Sequence, residues 1–135
     1  YEWVTIVLDL KQVFQVSYVI IKAGISPRPG SWVLEKSLDG VSYKPWQYFA
    51  ASPPECFDRY GLEPSSRRPV YESDSSVICV SHFSDLTPMK HGEIHISLVK
   101  GRPGAAELSE ELLEFTKARF VRLRFQGLQT LHPDL

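Results

Sequence analysis

The chain has 135 residues, enough for one domain with a single core. Its 15 Lys and Arg against 16 Asp and Glu leave no net field to draw in nucleic acid or an anionic membrane, so any charged binding must be local. Apolar residues make up 43% of the chain, and 10 prolines with 8 glycines interrupt it too often for long helices, so strands are expected to dominate.

Val4, Ile6, Leu8 and Leu10 alternate with Thr5, Val7 and Asp9, the period of two that predicts a half-buried strand. Phe14 to Lys22 is a second β-rich run after a short break at Lys11-Gln12, and the two runs are expected to pair. The apolar stretch from Val16 to Ile21 is too short to span a bilayer, and Tyr1-Glu2-Trp3 lacks the features of a signal peptide. Ser26-Pro27-Arg28-Pro29-Gly30 excludes a helix. Trp32 to Leu38 and Tyr43 to Phe49 flank Asp39-Gly40, a hairpin signal, and Pro45 confines its strand to an edge or a bulge.

Glu55 to Tyr60 predicts one helical turn, Gly61 to Ser76 a long polar surface loop, and Val77 to Val80 a short strand. Ile94, Ile96 and Leu98 alternate with His95, Ser97 and Val99, and Gly101-Arg102-Pro103-Gly104 ends that strand. Ser109 can cap a short helix through Phe115, with Glu110 and Glu111 in its first turn and Glu114 on the same solvated face. Val121, Leu123 and Phe125 mark a closing strand. About seven strands without a βαβ pattern predict an all-β antiparallel sandwich with one or two short helices.

The side chains that could carry chemistry are few. Cys56 and Cys79 enclose a loop rich in Pro, Ser and Arg, where a disulfide would add roughly 3 kcal/mol; two buried thiols fit the spacing as well. The chain has no asparagine, hence no N-glycosylation sequon. It has neither a Gly-x-Ser-x-Gly elbow nor a phosphate-cradling glycine loop, so no enzyme signature is present. His91 and His95 would share a helix face, but along a strand they stand ~13 Å apart, and His82 and His132 add no ligand spacing, so no transition-metal site is expected. Lys117, Arg119, Arg122 and Arg124 form a basic stretch that could meet sulfated glycans or an acidic receptor, although a solvated strand face is the plainer reading, as it is for Arg67 and Arg68. Trp3, Trp32 and Trp46 could line a sugar pocket; core packing is expected for at least two of them.

The order of Asp9-Leu10, Trp32-Val-Leu-Glu-Lys-Ser-Leu-Asp-Gly40 and Ala118-Arg-Phe-Val-Arg-Leu-Arg124 resembles the discoidin-type jelly roll, a galactose-binding-like sandwich. A finer set resembles the laminin N-terminal domain: Tyr18-Val-Ile-Ile-Lys22, Ser26-Pro-Arg-Pro-Gly30, Pro45-Trp-Gln-Tyr48, Gly92-Glu-Ile-His-Ile-Ser97, Gly101-Arg-Pro103 and Leu113-Glu-Phe-Thr116. From Tyr18 onward the chain is most similar to laminin α chains, and Lys11 stands where many members of the family have glycine.

The resemblance implies a secreted, non-catalytic basement-membrane module that associates with laminin β and γ N-terminal domains, with Cys56 and Cys79 joined. It also implies that residues 1–135 are one domain, the later part of a longer one with strands upstream of Tyr1 and epidermal-growth-factor-like repeats beyond Leu135. Calcium is plausible for such a family, yet no Asp/Asn cluster of loop-ligand spacing is visible in the sequence. The partner-facing stretch would be Pro88, Met89, Lys90, His91, Gly92 and Glu93, in the place of a Pro-Leu-Glu-Asn-Gly-Glu segment, with Lys90 reversing a charge and His91 replacing asparagine. An ordinary turn is the bland reading of the same residues. A discoidin-like module that binds heparan sulfate or a cell-surface receptor, without polymerising, is the alternative function.

Overall fold

The computed structural model describes residues 3–22, 29–66, 68–81 and 93–128. In chain order the elements are β1 Trp3–Gln15, β2 Tyr18–Lys22, β3 Pro29–Ser37, β4 Lys44–Phe49, α1 Pro53–Tyr60, β5 Cys79–Val80, β6 Glu93–Ser97, α2 Glu110–Thr116 and β7 Lys117–Leu128. The expected all-β sandwich is what forms, with two short helices at its margins. One sheet has the order β1-β7-β3-β4-β5 and the other pairs β2 with β6. Neighbouring strands run antiparallel except β4 and β5, a parallel pair that the sequence did not predict.

Between the sheets lies one core. Trp32, Leu34, Trp46 and Phe49 from the larger sheet meet Ile94, Ile96 and Leu98, with Leu112, Phe115 and Ala118 closing one end. The expected alternation in β6 is present: Ile94 and Ile96 are buried and His95 is exposed. Trp32 and Trp46 are both core residues, and Trp32 stacks on its cross-strand partner Phe49 at 3.6 Å between centroids.

The hairpin also forms as expected. Ser37, Asp39 and Gly40 organise the turn between β3 and β4: Asp39 accepts from the backbone N–H groups of Val41 and Ser42 at 2.8 and 2.9 Å, and Gly40 adopts φ 79° against the Phe120 ring. Pro45 sits beside a bulge, because the register jumps from Leu34↔Gln47 to Glu35↔Pro45 and leaves Trp46 unopposed.

The first two strands depart from expectation. They do not pair with each other. β1 pairs with β7, Trp3↔Gln126 through Gln15↔Lys117, while β2 crosses to the other sheet and pairs with β6. The Phe14–Lys22 run divides at Val16-Ser17, where Val16 N–H donates to the Thr116 carbonyl and Leu98 N–H to the Ser17 carbonyl, one bond toward each side of the switch. Lys11 does not break the strand but lies inside an irregularity between Asp9 and Phe14, at φ 74° with its N–H donating to Asp9 Oδ1.

A side chain in that left-handed conformation costs about 1–2 kcal/mol, which glycine avoids. Lys11→Gly is therefore expected to stabilise the fold by about 0.5–1 kcal/mol after glycine's greater unfolded-state entropy is subtracted; urea denaturation will measure it.

Val4, Ile6 and Leu8, expected to be half buried, are 54%, 54% and 59% exposed. They share a sheet face with Val121, Leu123 and Phe125, yet among the described residues β1 is the outer strand of a five-stranded sheet packed on a two-stranded one.

α1 is longer than the single turn predicted, because Pro53 and Pro54 occupy its first positions, where a missing N–H costs nothing. Gly61, at φ 67°, closes it by donating to the Phe57 carbonyl. Cys56 on α1 is bonded to Cys79 on β5, with Cα atoms 5.7 Å apart, so the family-implied disulfide pins the helix to the sheet edge. Ala50, Cys56 and Cys79 form a small second core beneath Tyr48, Tyr60 and Leu62.

Candidate functional site

Of the expected partner-facing stretch, Pro88 to Gly92 lie outside the described residues, as do Arg67, His82, His91 and His132. Glu93 is described. It opens β6 opposite Lys22, with its carboxylate 3.7 Å from the Lys22 ammonium and 3.0 Å from His95 Nε2. The carboxylate can only accept, so His95 Nε2 donates to it, and Nδ1 is hydrogen-bonded to the Tyr18 hydroxyl at 2.7 Å. Tyr18, His95 and Glu93 thus make a polar strip on the outer face of the smaller sheet. Among the described residues no three His, Cys, Asp or Glu side chains converge as a metal site.

The basic stretch on β7 is neither a bare cationic stripe nor simply solvated. Glu35 of β3, 5% exposed, accepts from Arg122 Nε at 2.8 Å and from Arg124 Nε and Nη2 at 2.8 and 3.2 Å. Strand register explains the meeting, since Glu35 lies directly opposite Arg122, with Arg124 one step along the same face. The Arg122 guanidinium also lies 3.7 Å from the centroid of the Tyr43 ring. Arg119 pairs with Asp9 at 3.1 Å. The three arginines of the β7 stretch, Arg119, Arg122 and Arg124, are therefore ion-paired within the fold.

A second polar centre, unmarked by sequence reasoning, holds the long loop in place. Arg102 is 4% exposed; its Nε donates to the Leu98 carbonyl and its Nη1 to the Asp74 and Ser76 carbonyls, at 2.8, 3.2 and 2.7 Å. Tyr71 and Phe115 flank the guanidinium at 4.1 and 4.4 Å. Asp74 accepts from Gly104 N–H and from the Ser109 hydroxyl. Among its described residues the Gly61–Ser76 segment has no helix or strand beyond an isolated bridge from Pro64 to Cys79, as predicted, but it is not merely a surface loop, because Tyr71 and Asp74 are buried.

α2 runs directly into β7, so its terminal carbonyls cannot be met by a turn. Thr116 Oγ1 donates to Leu112 and Leu113, Lys36 Nζ to Glu114 at 2.6 Å, Trp46 Nε1 to Phe115 at 2.7 Å, and Val16 N–H to Thr116. Ser109 caps the opposite end through Leu112 N–H, as its sequence position predicts. Beside this junction a cleft of about 650 Å³ opens between the β3–β4 turn, α2 and Val77.

The titrating groups give the fold a pH profile. The Arg119 guanidinium and the Lys11 N–H lower Asp9; the Ser42 and Val41 N–H groups lower Asp39; the Ser109 hydroxyl and the Gly104 N–H lower Asp74. A lowered carboxylate adds stability above its unfolded value and loses it as pH falls toward the folded one, so the melting temperature should drop below about pH 4. Burial pushes Lys36 down to about 8 from 10.5, so between those values the unfolded chain binds more protons and stability rises with pH. Burial raises Tyr60 to about 12, which reverses the trend above its ordinary value. Thermal melts should therefore show a higher midpoint near pH 9.5 than near 7.5, and Lys36→Met should flatten that rise of up to about 1 kcal/mol per pH unit.

These features describe a β-sandwich whose charged side chains are largely committed to holding its own strands and loops. The laminin N-terminal (domain VI) family model matches residues 1–135, and the chain belongs to that family. It is 58% identical over all 135 residues to laminin subunit alpha-1 of Homo sapiens and 46% identical over 134 residues, 97% of the chain, to laminin subunit alpha-3 of Homo sapiens. Over 131 residues, 95% of the chain, it is 38% identical to laminin subunit alpha of Drosophila melanogaster. The chain spans 3–4% of the length of these relatives.

Proposed function

We propose that this chain is a structural, non-catalytic module of a laminin α short arm in the basement membrane of the extracellular matrix, where it associates with laminin β and γ N-terminal domains. The observation that carries the reading is full-length similarity to laminin α subunits, 58% to human alpha-1. The buried Cys56–Cys79 bond accords with maturation in the secretory pathway. The surface we assign to the partner is Pro88 to Glu93, anchored where Glu93 enters β6. There Lys90 and His91 give the stretch a less acidic character than the family segment it replaces, which favours a partner patch of complementary, more acidic character.

The test is to mix the laminin N-terminal domain that contains this chain with β and γ N-terminal domains and separate the products by size-exclusion chromatography. A peak containing all three is expected, and Lys90→Glu should change its stability. Three separate monomer peaks at every concentration tried would remove the reading.

A further inference from the structure

We propose that the cleft beside the α2–β7 junction binds a small amphiphilic carboxylate, an acid head on an apolar body, with Lys36 as its anchor. Its volume of about 650 Å³ is that of a small-molecule site rather than a packing defect. Pro45, Val77 and Phe115 give it an apolar wall, and Lys36 reaches it from β3.

Lys36 is 8% exposed, yet its ammonium has one acceptor among the described residues, the Glu114 carbonyl, with the Phe115 ring centroid 5.9 Å away. An ammonium has three N–H donors, so two remain for a ligand. A buried cation so poorly compensated is costly, and its downward shift to about 8 reports that cost. An arriving carboxylate would relieve it.

Three carboxylates also line the cleft, and each is already engaged. Asp39 holds the turn amides, Glu111 accepts from the Ser75 hydroxyl at 2.6 Å, and Glu114 lies 3.1 Å from the Lys117 ammonium. None is ion-paired with Lys36 among the described residues; Glu114 attracts its ammonium at longer range, and Lys44 and Lys117 oppose that attraction. A protein's Asp or Glu would bring only one or two methylenes and leave Val77 and Phe115 uncovered, so the lining favours a free amphiphile over an acidic peptide.

Isothermal titration calorimetry on the secreted domain with octanoate, octanamide and acetate distinguishes these possibilities. Octanoate should bind saturably at one site, and octanamide and acetate at least fivefold more weakly. Lys36→Met should bring octanoate down to the level of octanamide. If that variant does not fold, Leu38→Glu on the exposed rim should weaken octanoate at least threefold while leaving octanamide unchanged. Equal binding of octanoate and octanamide, or of octanoate and acetate, or no saturable heat with octanoate, would overturn the proposal.

Discussion

Arg102→Met is expected to lower the unfolding free energy by about 3 kcal/mol or more, and the melting temperature by about 10 °C. Methionine fills the volume of the arginine stem, so little of the loss comes from a cavity. The loss comes from three carbonyls, on Leu98, Asp74 and Ser76, deprived of their donor, and from the guanidinium stack between Tyr71 and Phe115. Each buried acceptor left alone costs about 1–3 kcal/mol, and recovery of the cation's own desolvation penalty offsets part of the sum. Arg102→Lys should restore only a fraction, because a point charge cannot reach three carbonyls while stacking between two rings. Hydrogen exchange separates this mechanism from general destabilisation, since Tyr71 to Ser76 should lose protection first and the β3–β7 pairing last.

Glu35→Gln is expected to cost about 2 kcal/mol, below the 3–5 kcal/mol of a fully buried pair, because Arg122 and Arg124 can turn partly to water. Their side chains are 23% and 34% exposed, against 7% for Glu35. The same substitution should change binding. It leaves two guanidinium groups without their shared counter-ion, so retention on a heparin column should increase, with elution at higher salt than the parent. If elution is unchanged, these arginines do not form a latent anion surface. A double-mutant cycle with Arg124→Gln will measure the coupling directly.

The sequence was most legible where a local pattern decides the structure. The alternation of Ile94 and Ile96 with His95, the turn chemistry of Asp39-Gly40 and the cap at Ser109 all work within a few residues, and all are present. Partner choice is not local. The periodicity of Val4 to Leu8 defines which residues share a face, but nothing in that run says that β7, more than 100 residues on, is its neighbour or that Val4, Ile6 and Leu8 stay more than half exposed.

Buried charge misled in a second way. Residue type alone places Glu35, Lys36 and Arg102 in solvent, whereas β3 is a central strand buried on both faces from Ser31 to Ser37. Only the complementary charge across the strand, Arg122 opposite Glu35, could have signalled it, and that requires the register to be known first. The candidate site was legible for the same reason only in part: the arginines could be named, but their counter-ions could not.

The pairing of β1 with β7 also sets how the molecule responds to tension. Because Trp3 lies opposite Gln126, the start of one strand and the far end of the other occupy the same corner of the sheet. A pull that separates those two points loads the cross-strand hydrogen bonds in succession rather than all together, so β1 would peel like a zip at modest force. β7 would remain held along its other side by β3, from Pro29↔Leu128 to Ser37↔Phe120. Under load the outer strand would yield first, leaving the Trp32–Phe49 core intact behind it.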